Sequence, residues 1–443
     1  MALKKKPVTG MKDILPREME LRQYVLSEIR RTYKEFGFTE IETPVVEHIE
    51  NLLSKQGGDN EKLIFKVQKR GDKLESAFQS GDLDALADSG LRYDLTLPLS
   101  RFYSQNQAQL PSPFKALQIG PVFRADRPQK GRFREFVQCD IDIFADRPQK
   151  GRFREFVQCD IDIFGDGSNV AEIELILAIS TLLNRIGFGE KYNFSIVIND
   201  REILRGMQAY AGFPADDFEK VCISLDKADK IGNDGVKAEL LSLGYEESVI
   251  DKYQALLATI GTGAQDIRTL GEKLKDVLPE SVTDNLATIV ETVAAVKSVH
   301  VKVLFDPTLV RGMGYYTGPI FEIRAEGFSG SVGGGGRYDR MVGKFTGQDT
   351  PAVGFSIGFE RIITIMLDAD EKVPGEGTKV AFLLDKNLDR AKTAEAISEA
   401  MTRRLQGETV LVSRMNKNKK FQKEQLTSEG YTEFKEFYQD SLQ

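Results

Sequence analysis

The chain of 443 residues is poor in cysteine, in histidine and in long apolar runs. Its three cysteines, Cys139, Cys159 and Cys222, have no CxxC spacing, which argues against a disulfide scaffold or a zinc site. The two histidines, His48 and His300, lie far apart, which argues against a histidine-dependent hydrolase. No apolar run approaches the roughly 18–20 residues of a membrane helix, and no apolar segment follows the basic start, which argues against a secretory signal. These absences predict a cytoplasmic protein, without a membrane partner, whose chemistry depends on arginine, carboxylates, tyrosine and the backbone.

An excess of positive charge is also absent, because the net charge is −7. Any binding to nucleic acid must therefore use local basic patches. Hydrophobic residues make up 41% and charged residues 29%, which is an ordinary globular composition. The length predicts two to four domains.

One segment is present twice without a single difference. The sequence ADRPQKGRFREFVQCDIDIF fills residues 125–144 and again residues 145–164. A solenoid requires about three or more divergent units, so this repeat is interpreted as a recent tandem duplication or an error of sequence assembly. Without one copy, the underlying protein has 423 residues and two cysteines.

Hydrophobic periodicity predicts a mixture of helices and strands. Helices are expected at 17–36 and 169–188, and a largely helical, charged segment at 201–297. Strands are expected at 38–48, 113–124, 192–200, 301–307 and 319–326, in FREFVQCDIDIF of either copy, and at the start of 353–366, which runs on into a helix. After the Pro/Gly/acidic linker 368–377, the order strand–helix–strand–helix–strand predicts a small α/β domain at 378–443.

The segment LRYDLT contains a candidate site for an ammonium group. Asp94 and Thr96 are two residues apart, so an extended backbone would put both side chains on one face. A carboxylate beside a hydroxyl could hold an ammonium. The alternative is an ordinary turn with an Asx-type hydrogen bond.

The segment FRADRPQKGRFREF contains a candidate site for phosphate oxygens. A hairpin would group its basic side chains, and the guanidinium fork binds phosphate oxygens in pairs. These side chains are Arg124, Arg127, Lys130, Arg132 and Arg134. The alternative is a solvated hairpin.

The QCDID segment places a glutamine and an aspartate four residues apart, on one face of a strand. The pair is Gln138 with Asp142 in the first copy, or Gln158 with Asp162 in the second, and Asp140 or Asp160 lies between them. A plain surface face of a sheet is the alternative.

Three glycine-containing motifs lie in the second half of the chain. In VRGMGYYTG, Arg311 is followed by glycines that allow close approach of a ligand, and then by Tyr315 and Tyr316. SVGGGGRYDRMVGKF is not a Walker A loop, because Lys344 is followed by Phe345. In GFSIGFER, Arg361 begins a helix after a glycine-containing strand, where it could contact the phosphates of a nucleotide.

Taken together and in this order, the motifs resemble those of the histidyl-tRNA synthetase family of class II aminoacyl-tRNA synthetases. The resemblance extends over essentially the whole chain. It is carried by GMKDILP, TPVVE, LRYDLT, the FR-to-QCD segment, LVRGMGYY and VGFSIGFERI, of which RGMGYY is the most specific.

The resemblance implies an α+β fold with an antiparallel sheet flanked by helices. It implies a catalytic domain in two parts, 1–200 and 298–367, a helical insertion at 201–297 and an anticodon-binding domain at 378–443. The implied enzyme is a homodimer. It activates L-histidine with ATP and Mg²⁺ to histidyl-adenylate, and then transfers the histidine to tRNA(His).

The resemblance also implies a role for particular residues. Histidine-binding roles fall on Asp94, Leu95, Thr96, Arg124, Gln138 or Gln158, Asp142 or Asp162, Arg311, Tyr315 and Tyr316. ATP-binding roles fall on Arg124, Asp126, Arg132, Arg152 and Arg361. The catalytic arginines would be Arg124 and Arg311, and no residue is assigned as a metal ligand.

The chain departs from the family pattern at three places. Gly314 stands where many members carry a polar residue, and the C-terminal domain is short. Lysines at 417, 419, 420 and 423 could form an RNA patch there or simply a solvated helix face. The third departure is the duplication, which lies inside the implied ATP-binding hairpin.

The second copy is expected to form the working strand, because the strand must connect directly into the helix that follows it. An additional 20 residues are tolerated more easily in the hairpin loop than between strand and helix. Two other functions agree with fewer of these motifs. A regulatory histidine-binding paralogue would lack the ATP-contacting arginines, and RGMGYY argues against a ligase for another amino acid.

Overall fold

The computed structural model describes residues 3–53, 64–125, 155–310, 314–328, 330–374 and 377–439. The chain divides into two compact units. The larger unit comprises Met1–Asp13 and Val25–Ala369, and the smaller unit comprises Ile14–Tyr24 and Asp370–Gln443.

The α-helices and β-strands of the described residues are numbered in chain order. The helices are α1 Pro16–Glu35, α2 Ile49–Leu52, α3 Asp72–Ser80, α4 Thr96–Asn106, α5 Val170–Arg185, α6 Phe188–Lys191, α7 Arg201–Ala211, α8 Phe218–Leu225, α9 Ala228–Ser242, α10 Glu247–Leu257, α11 Ala264–Leu274, α12 Glu280–Ala295, α13 Arg340–Thr346, α14 Phe359–Asp368, α15 Arg390–Leu405 and α16 Lys419–Ser428. The strands are β1 Thr39–Ile41, β2 Val46–His48, β3 Lys66–Gln68, β4 Ala87–Leu91, β5 Phe114–Phe123, β6 Glu155–Phe164, β7 Ser195–Asp200, β8 Val303–Phe305, β9 Pro319–Arg324, β10 Ser331–Arg337, β11 Ala352–Ile357, β12 Lys379–Leu384, β13 Thr409–Arg414 and β14 Glu433–Phe437.

The larger unit is built on an eight-stranded sheet with the order β1-β5-β6-β11-β10-β9-β7-β8. Neighbours from β5 to β7 are all antiparallel, whereas each edge is a parallel pair, β1 with β5 and β7 with β8. The expected antiparallel sheet flanked by helices is confirmed, with parallel pairing added at its edges. A separate three-stranded sheet has the order β2-β4-β3.

The strand in the middle of this sheet comes from the second copy of the repeat. β6 pairs with β5 from Phe114↔Phe164 to Phe123↔Glu155, and on its other side with β11. It is followed closely by α5, as the connection argument requires. Residues 126–144 of the first copy lie outside the described residues.

Most expected elements are present within a few residues of their predicted ends, but one is wrong. The single strand expected at 38–48 is two short strands in different sheets, because β1 pairs with β5 whereas β2 pairs with β4. Pro44 lies between them. Proline has no N–H for a strand ladder, so the strand ends there.

The segment between β7 and β8 is helical, with α7 to α12 in succession. Apolar side chains on these helices pack inward, which accounts for the 3.6-residue period of this segment. Examples of fully buried positions are Leu204, Val221, Ile267 and Leu286.

The smaller unit contains a three-stranded parallel sheet with the order β13-β12-β14. α15 connects β12 to β13, and α16 connects β13 to β14, so the expected small α/β domain is confirmed. Val380 and Phe382 of β12 pack against Ala396 and Ala400 of α15. Within the described ranges, no helix has the length and apolar character needed to cross a membrane.

Candidate active site

One face of β6 carries three buried polar side chains, Gln158, Asp160 and Asp162. They share a face because side chains of a strand alternate with a period of two. Gly354 of β11 lies opposite Asp162 in the ladder. A Cβ atom at Gly354 would overlap Asp162 Oδ1, so glycine here makes room for the carboxylate.

Each of these side chains has a buried oxygen without a hydrogen-bond partner among the residues that the structure describes. The atoms are Gln158 Oε1, Asp160 Oδ1 and Asp162 Oδ2. A buried polar atom that lacks a partner costs about 1–3 kcal/mol, so three on one face indicate a ligand that supplies hydrogen-bond donors.

Three tyrosines lie beside Asp162. Tyr338 donates a hydrogen bond of 2.5 Å from its hydroxyl to Asp162 Oδ1. The ring of Tyr315 lies 4.7 Å from that of Tyr316 and 6.2 Å from that of Tyr338, between centroids. Gly336 accommodates Tyr316, since a Cβ atom there would lie 2.9 Å from Tyr316 Cδ1. The carboxylate and the aromatic rings together could enclose a flat polar ring.

Asp94 adds a third buried carboxylate at the start of α4. Its Oδ1 accepts a hydrogen bond of 3.2 Å from the backbone N–H of Leu97. Thr96 is half-buried at the first position of the helix, so the backbone turns into α4 here and the extended backbone predicted for Asp94 and Thr96 is wrong. Leu95 is buried with Val122 and Phe156, so its side chain belongs to an apolar cluster.

Burial and neighbouring charges shift the pKa values of the buried carboxyls of Asp160 and Asp162. The pKa of Asp162 is raised to about 7, mainly by burial; the Tyr338 hydrogen bond opposes the rise and the charge of Asp94 contributes to it. Burial, followed by the charge of Asp162, raises the pKa of Asp160 well above its ordinary value. The face therefore favours a cationic or proton-donating ligand.

Two buried arginines lie at the end of this face. Arg124 donates from Nε to the carbonyl of Tyr93 at 2.8 Å, and its guanidinium lies 5.6 Å from the ring centroid of Phe156. Arg92 donates to the carbonyls of Pro121 and Thr43 at 2.9 and 2.7 Å. A Cβ atom at Gly120 would overlap Arg92 Nη2, so glycine is required beneath this guanidinium.

Arg361 occupies the first turn of α14, as expected, and is buried. Its Nη1 donates to the backbone carbonyl of Ser331, where β10 begins, and lies 3.3 Å from the Ser331 hydroxyl. The backbone N–H of Val157 donates to Glu360 at 3.4 Å, which ties the start of α14 to β6.

The structure therefore brings Asp94, Gln158 and Asp162 of the predicted site together with Tyr315 and Tyr316. Several predicted residues lie outside the described residues, namely Asp126, Arg132, Gln138, Asp142, Arg152 and Arg311, as do Arg127, Lys130 and Arg134. Arg92, Ser356 and Tyr338 were not among the predicted residues. Asp160 was noted in QCDID but given no role, although it shares the face of Gln158 and Asp162.

Comparison with known proteins is consistent with this geometry. The family model described as histidyl-tRNA synthetase matches residues 10–362. A histidine–tRNA ligase of Leifsonia xyli is 44% identical over 372 residues, covering 81% of this chain and 80% of the relative. A probable histidine–tRNA ligase of Tropheryma whipplei is 38% identical and covers 98% and 96% of the two chains. The chain therefore belongs to the histidyl-tRNA synthetase family.

Solved structures show the same fold. Histidyl-tRNA synthetase from Nostoc superimposes with a TM-score of 0.74 at 24% identity, covering 97% of this chain and 90% of that one. An ATP phosphoribosyltransferase regulatory subunit/histidyl-tRNA synthetase from Bacillus halodurans superimposes with a TM-score of 0.71 at 20% identity, with full coverage of both chains.

Proposed function

We propose that this chain is a histidine–tRNA ligase. It joins L-histidine and ATP to histidyl-adenylate with release of pyrophosphate, and then transfers histidine to the 3′ end of tRNA(His). The observation that carries the proposal is the row of buried oxygens on β6 that lack hydrogen-bond partners among the described residues, beside the three tyrosines. Histidine supplies the missing donors, because it carries an ammonium group and a ring N–H.

Recognition of the imidazole is assigned to Asp162 and the tyrosines. An ionised carboxylate accepts from one ring nitrogen, and a phenol donates to the other. A site that pairs both nitrogens strongly rejects isosteres that lack them. The ammonium group is assigned to Asp94, Thr96 and Gln158, whose carboxyl, hydroxyl and amide carbonyl oxygens, respectively, can accept hydrogen bonds from its three N–H groups.

Activation requires positioning and charge stabilisation more than proton transfer. The ionised carboxylate of histidine attacks the α-phosphorus of ATP, a new P–O bond forms, and pyrophosphate leaves with the electrons of the broken bond. No general base is needed for this displacement. Arg124 would contact the histidine carboxylate and the α-phosphate, and Arg361 the γ-phosphate end of ATP.

The other ATP-contacting residues of this proposal, Asp126, Arg132, Arg152 and Arg311, lie outside the described residues. Mg²⁺ would arrive bound to the triphosphate and neutralise part of its charge. Within the described ranges, no group of three His, Cys, Asp or Glu side chains could hold a metal ion by itself.

The partners in this proposal are tRNA(His) and a second copy of the chain, in the cytoplasm. Residues 378–443 would serve as the anticodon-binding domain, and residues 201–297 as the helical insertion. Two of the lysines considered for an RNA patch, Lys419 and Lys423, pair with Glu436 at 2.7 and 2.5 Å, which offsets part of their charge. RNA binding here would therefore depend on more than these lysines.

Histidine binding at pH 7 is expected to release about half a proton from Asp162. The raised pKa of about 7 leaves this carboxyl half-protonated when the site is empty. A bound ring N–H and ammonium favour the ionised form, so the pKa falls, the proton leaves, and affinity rises with pH towards a plateau above 7. Calorimetry in buffers of different ionisation enthalpy measures the release. Asp162→Asn should lack this component, and equal release from both proteins would contradict the assignment.

The function is tested by histidine-dependent ATP–pyrophosphate exchange on the 443-residue chain and on a 423-residue chain that lacks one copy of the repeat. Deletion of either copy gives the same chain, because the copies are identical. We expect exchange from the shorter chain, since β5, a copy of β6 and α5 are retained. Exchange by both chains shows that the additional copy is tolerated. Exchange by neither would exclude the ligase and favour a histidine-binding paralogue.

A further inference from the structure

The orientation of the Gln158 amide is determined by its neighbours. Gln158 Nε2 donates to Asp160 Oδ2 at 2.7 Å and to the hydroxyl of Ser356 at 3.4 Å. The NH₂ end of the amide therefore faces Asp160, where a carboxyl oxygen accepts its hydrogen bond. The oxygen end, Oε1, consequently points away from Asp160. It is buried and has no partner among the described residues.

Asp160 is itself held in place from several sides. It is 3% exposed, and it lies opposite Gln118 of β5 and Ser356 of β11 in the two ladders. The charged groups that interact with it are Arg92 on one side and the carboxylates of Asp94 and Asp162 on the other. Burial raises the pKa of Asp160, the positive charge of Arg92 opposes part of that rise, and the ammonium of a bound amino acid would lower the pKa further.

The Gln158–Asp160 contact matters because an amide can present either end to a ligand. Only the oxygen end can accept from an ammonium group, and the NH₂ end would repel it. If the Gln158 amide were free to rotate, it would spend part of the time with its NH₂ end towards the ligand, and the affinity of the site for histidine would be lower. The hydrogen bond from Gln158 to Asp160, on the same face of β6, holds the amide with its oxygen available to the ligand.

We propose that Asp160 is a positioning residue for amino-acid binding, which holds the Gln158 amide so that Oε1 accepts a hydrogen bond from the α-ammonium group of histidine. The inference rests on the proposed function. Asp160 acts through Gln158, so its contribution should disappear when the amide is removed.

A double-mutant cycle on the full chain tests this dependence. Histidine dissociation constants are measured by calorimetry for the parent, Asp160→Leu, Gln158→Ala and the double variant. A hydrogen bond to a charged group is worth roughly 1.5–3 kcal/mol, so each single variant should bind histidine about tenfold or more weakly. The double variant should bind as weakly as Gln158→Ala and no more weakly. If the loss of histidine affinity in the double variant equals the product of the two single-variant losses, the proposal is overturned.

Two further measurements separate positioning from a general structural defect. Imidazolepropionate, which has the ring and the carboxylate of histidine but no ammonium, should bind equally to the parent and to Asp160→Leu. Asp160→Asn keeps the side-chain shape and an acceptor oxygen, so it should retain most of the histidine affinity. Equal losses for Asp160→Asn and Asp160→Leu would overturn the proposal, as would weakened binding of imidazolepropionate.

The failure of this inference differs from the failure of the proposed function. A parent chain that binds no histidine would exclude the proposed function itself. A parent chain that binds histidine, with Asp160→Leu binding it as tightly, would exclude only the positioning role.

Discussion

Replacement of Arg124 by alanine is expected to lower histidine-dependent ATP–pyrophosphate exchange by about 10²- to 10³-fold, the usual loss when one preorganised donor to a developing negative charge is removed. The guanidinium is buried and already fixed before substrates bind. Its Nε donates to the Tyr93 carbonyl at 2.8 Å, and its plane lies near the Phe156 ring. Little reorganisation is therefore required of it when charge develops at the α-phosphorus.

The geometry of Arg124 predicts that charge alone is not enough. Arg124→Lys keeps the positive charge but loses the planar fork and the contact with the Tyr93 carbonyl, so it should recover little activity. Arg30→Ala is the matched control, because Arg30 is exposed on α1 and pairs with Glu40 at 3.0 Å. The control should exchange at the parent rate. Parental exchange by Arg124→Ala would contradict the assigned role.

The second large effect is expected on stability. Arg337→Ala should lower the free energy of unfolding by about 3–5 kcal/mol, because it leaves a buried charge without its partner. Arg337 bonds Glu172 through Nε at 2.6 Å and Nη2 at 2.9 Å, and both residues are buried. Its other N–H bonds donate to the backbone carbonyls of Asp166 and Ser168 and, at 3.3 Å, to Asp339 Oδ1. The side chain thus joins β10 to the loop after β6 and to the first turn of α5.

Urea unfolding followed by circular dichroism measures this loss as a shift of the midpoint at constant slope. Glu172→Leu combined with Arg337→Met replaces both charges by apolar groups of similar size. This pair should recover much of the loss, because neither charge is then left alone. If Arg337→Ala is as stable as the parent, the Arg337–Glu172 pair contributes little to the free energy of unfolding. Tyr338 follows Arg337 directly, so the single variant should also weaken histidine binding.

Much of the fold follows from local patterns in the sequence. The ends of α1, α5 and β5 were predicted within a few residues, because their apolar periodicity and flanking Pro and Gly residues are local signals. The single strand predicted at 38–48 was wrong. Pro44 is a local signal for a break, but only the fold shows that β1 and β2 pair in different sheets.

The site residues that the sequence indicated are those in distinctive motifs, such as Asp94, Arg124 and Tyr316. The residues that it did not indicate act through partners that are distant in sequence. Tyr338 meets Asp162 across a separation of 176 residues, and Arg337 meets Glu172 across 165. A side chain's local neighbours contain no information about such a contact, because it depends on which strands become adjacent in the sheet.

The sequence by itself determined the family, the order of the elements and the residue types available for binding an amino acid and ATP. Propensity could not distinguish the two identical segments, since identical residues have identical propensities, and the second copy was predicted for β6 only from its direct connection to the next helix. The second copy occupies that place because it pairs with β5 and β11 and continues into α5. Only the tertiary structure showed that Gln158, Asp160 and Asp162 are buried and that each has an oxygen without a hydrogen-bond partner among the described residues. The sequence of a strand does not determine this, because burial depends on which elements cover that face of the sheet.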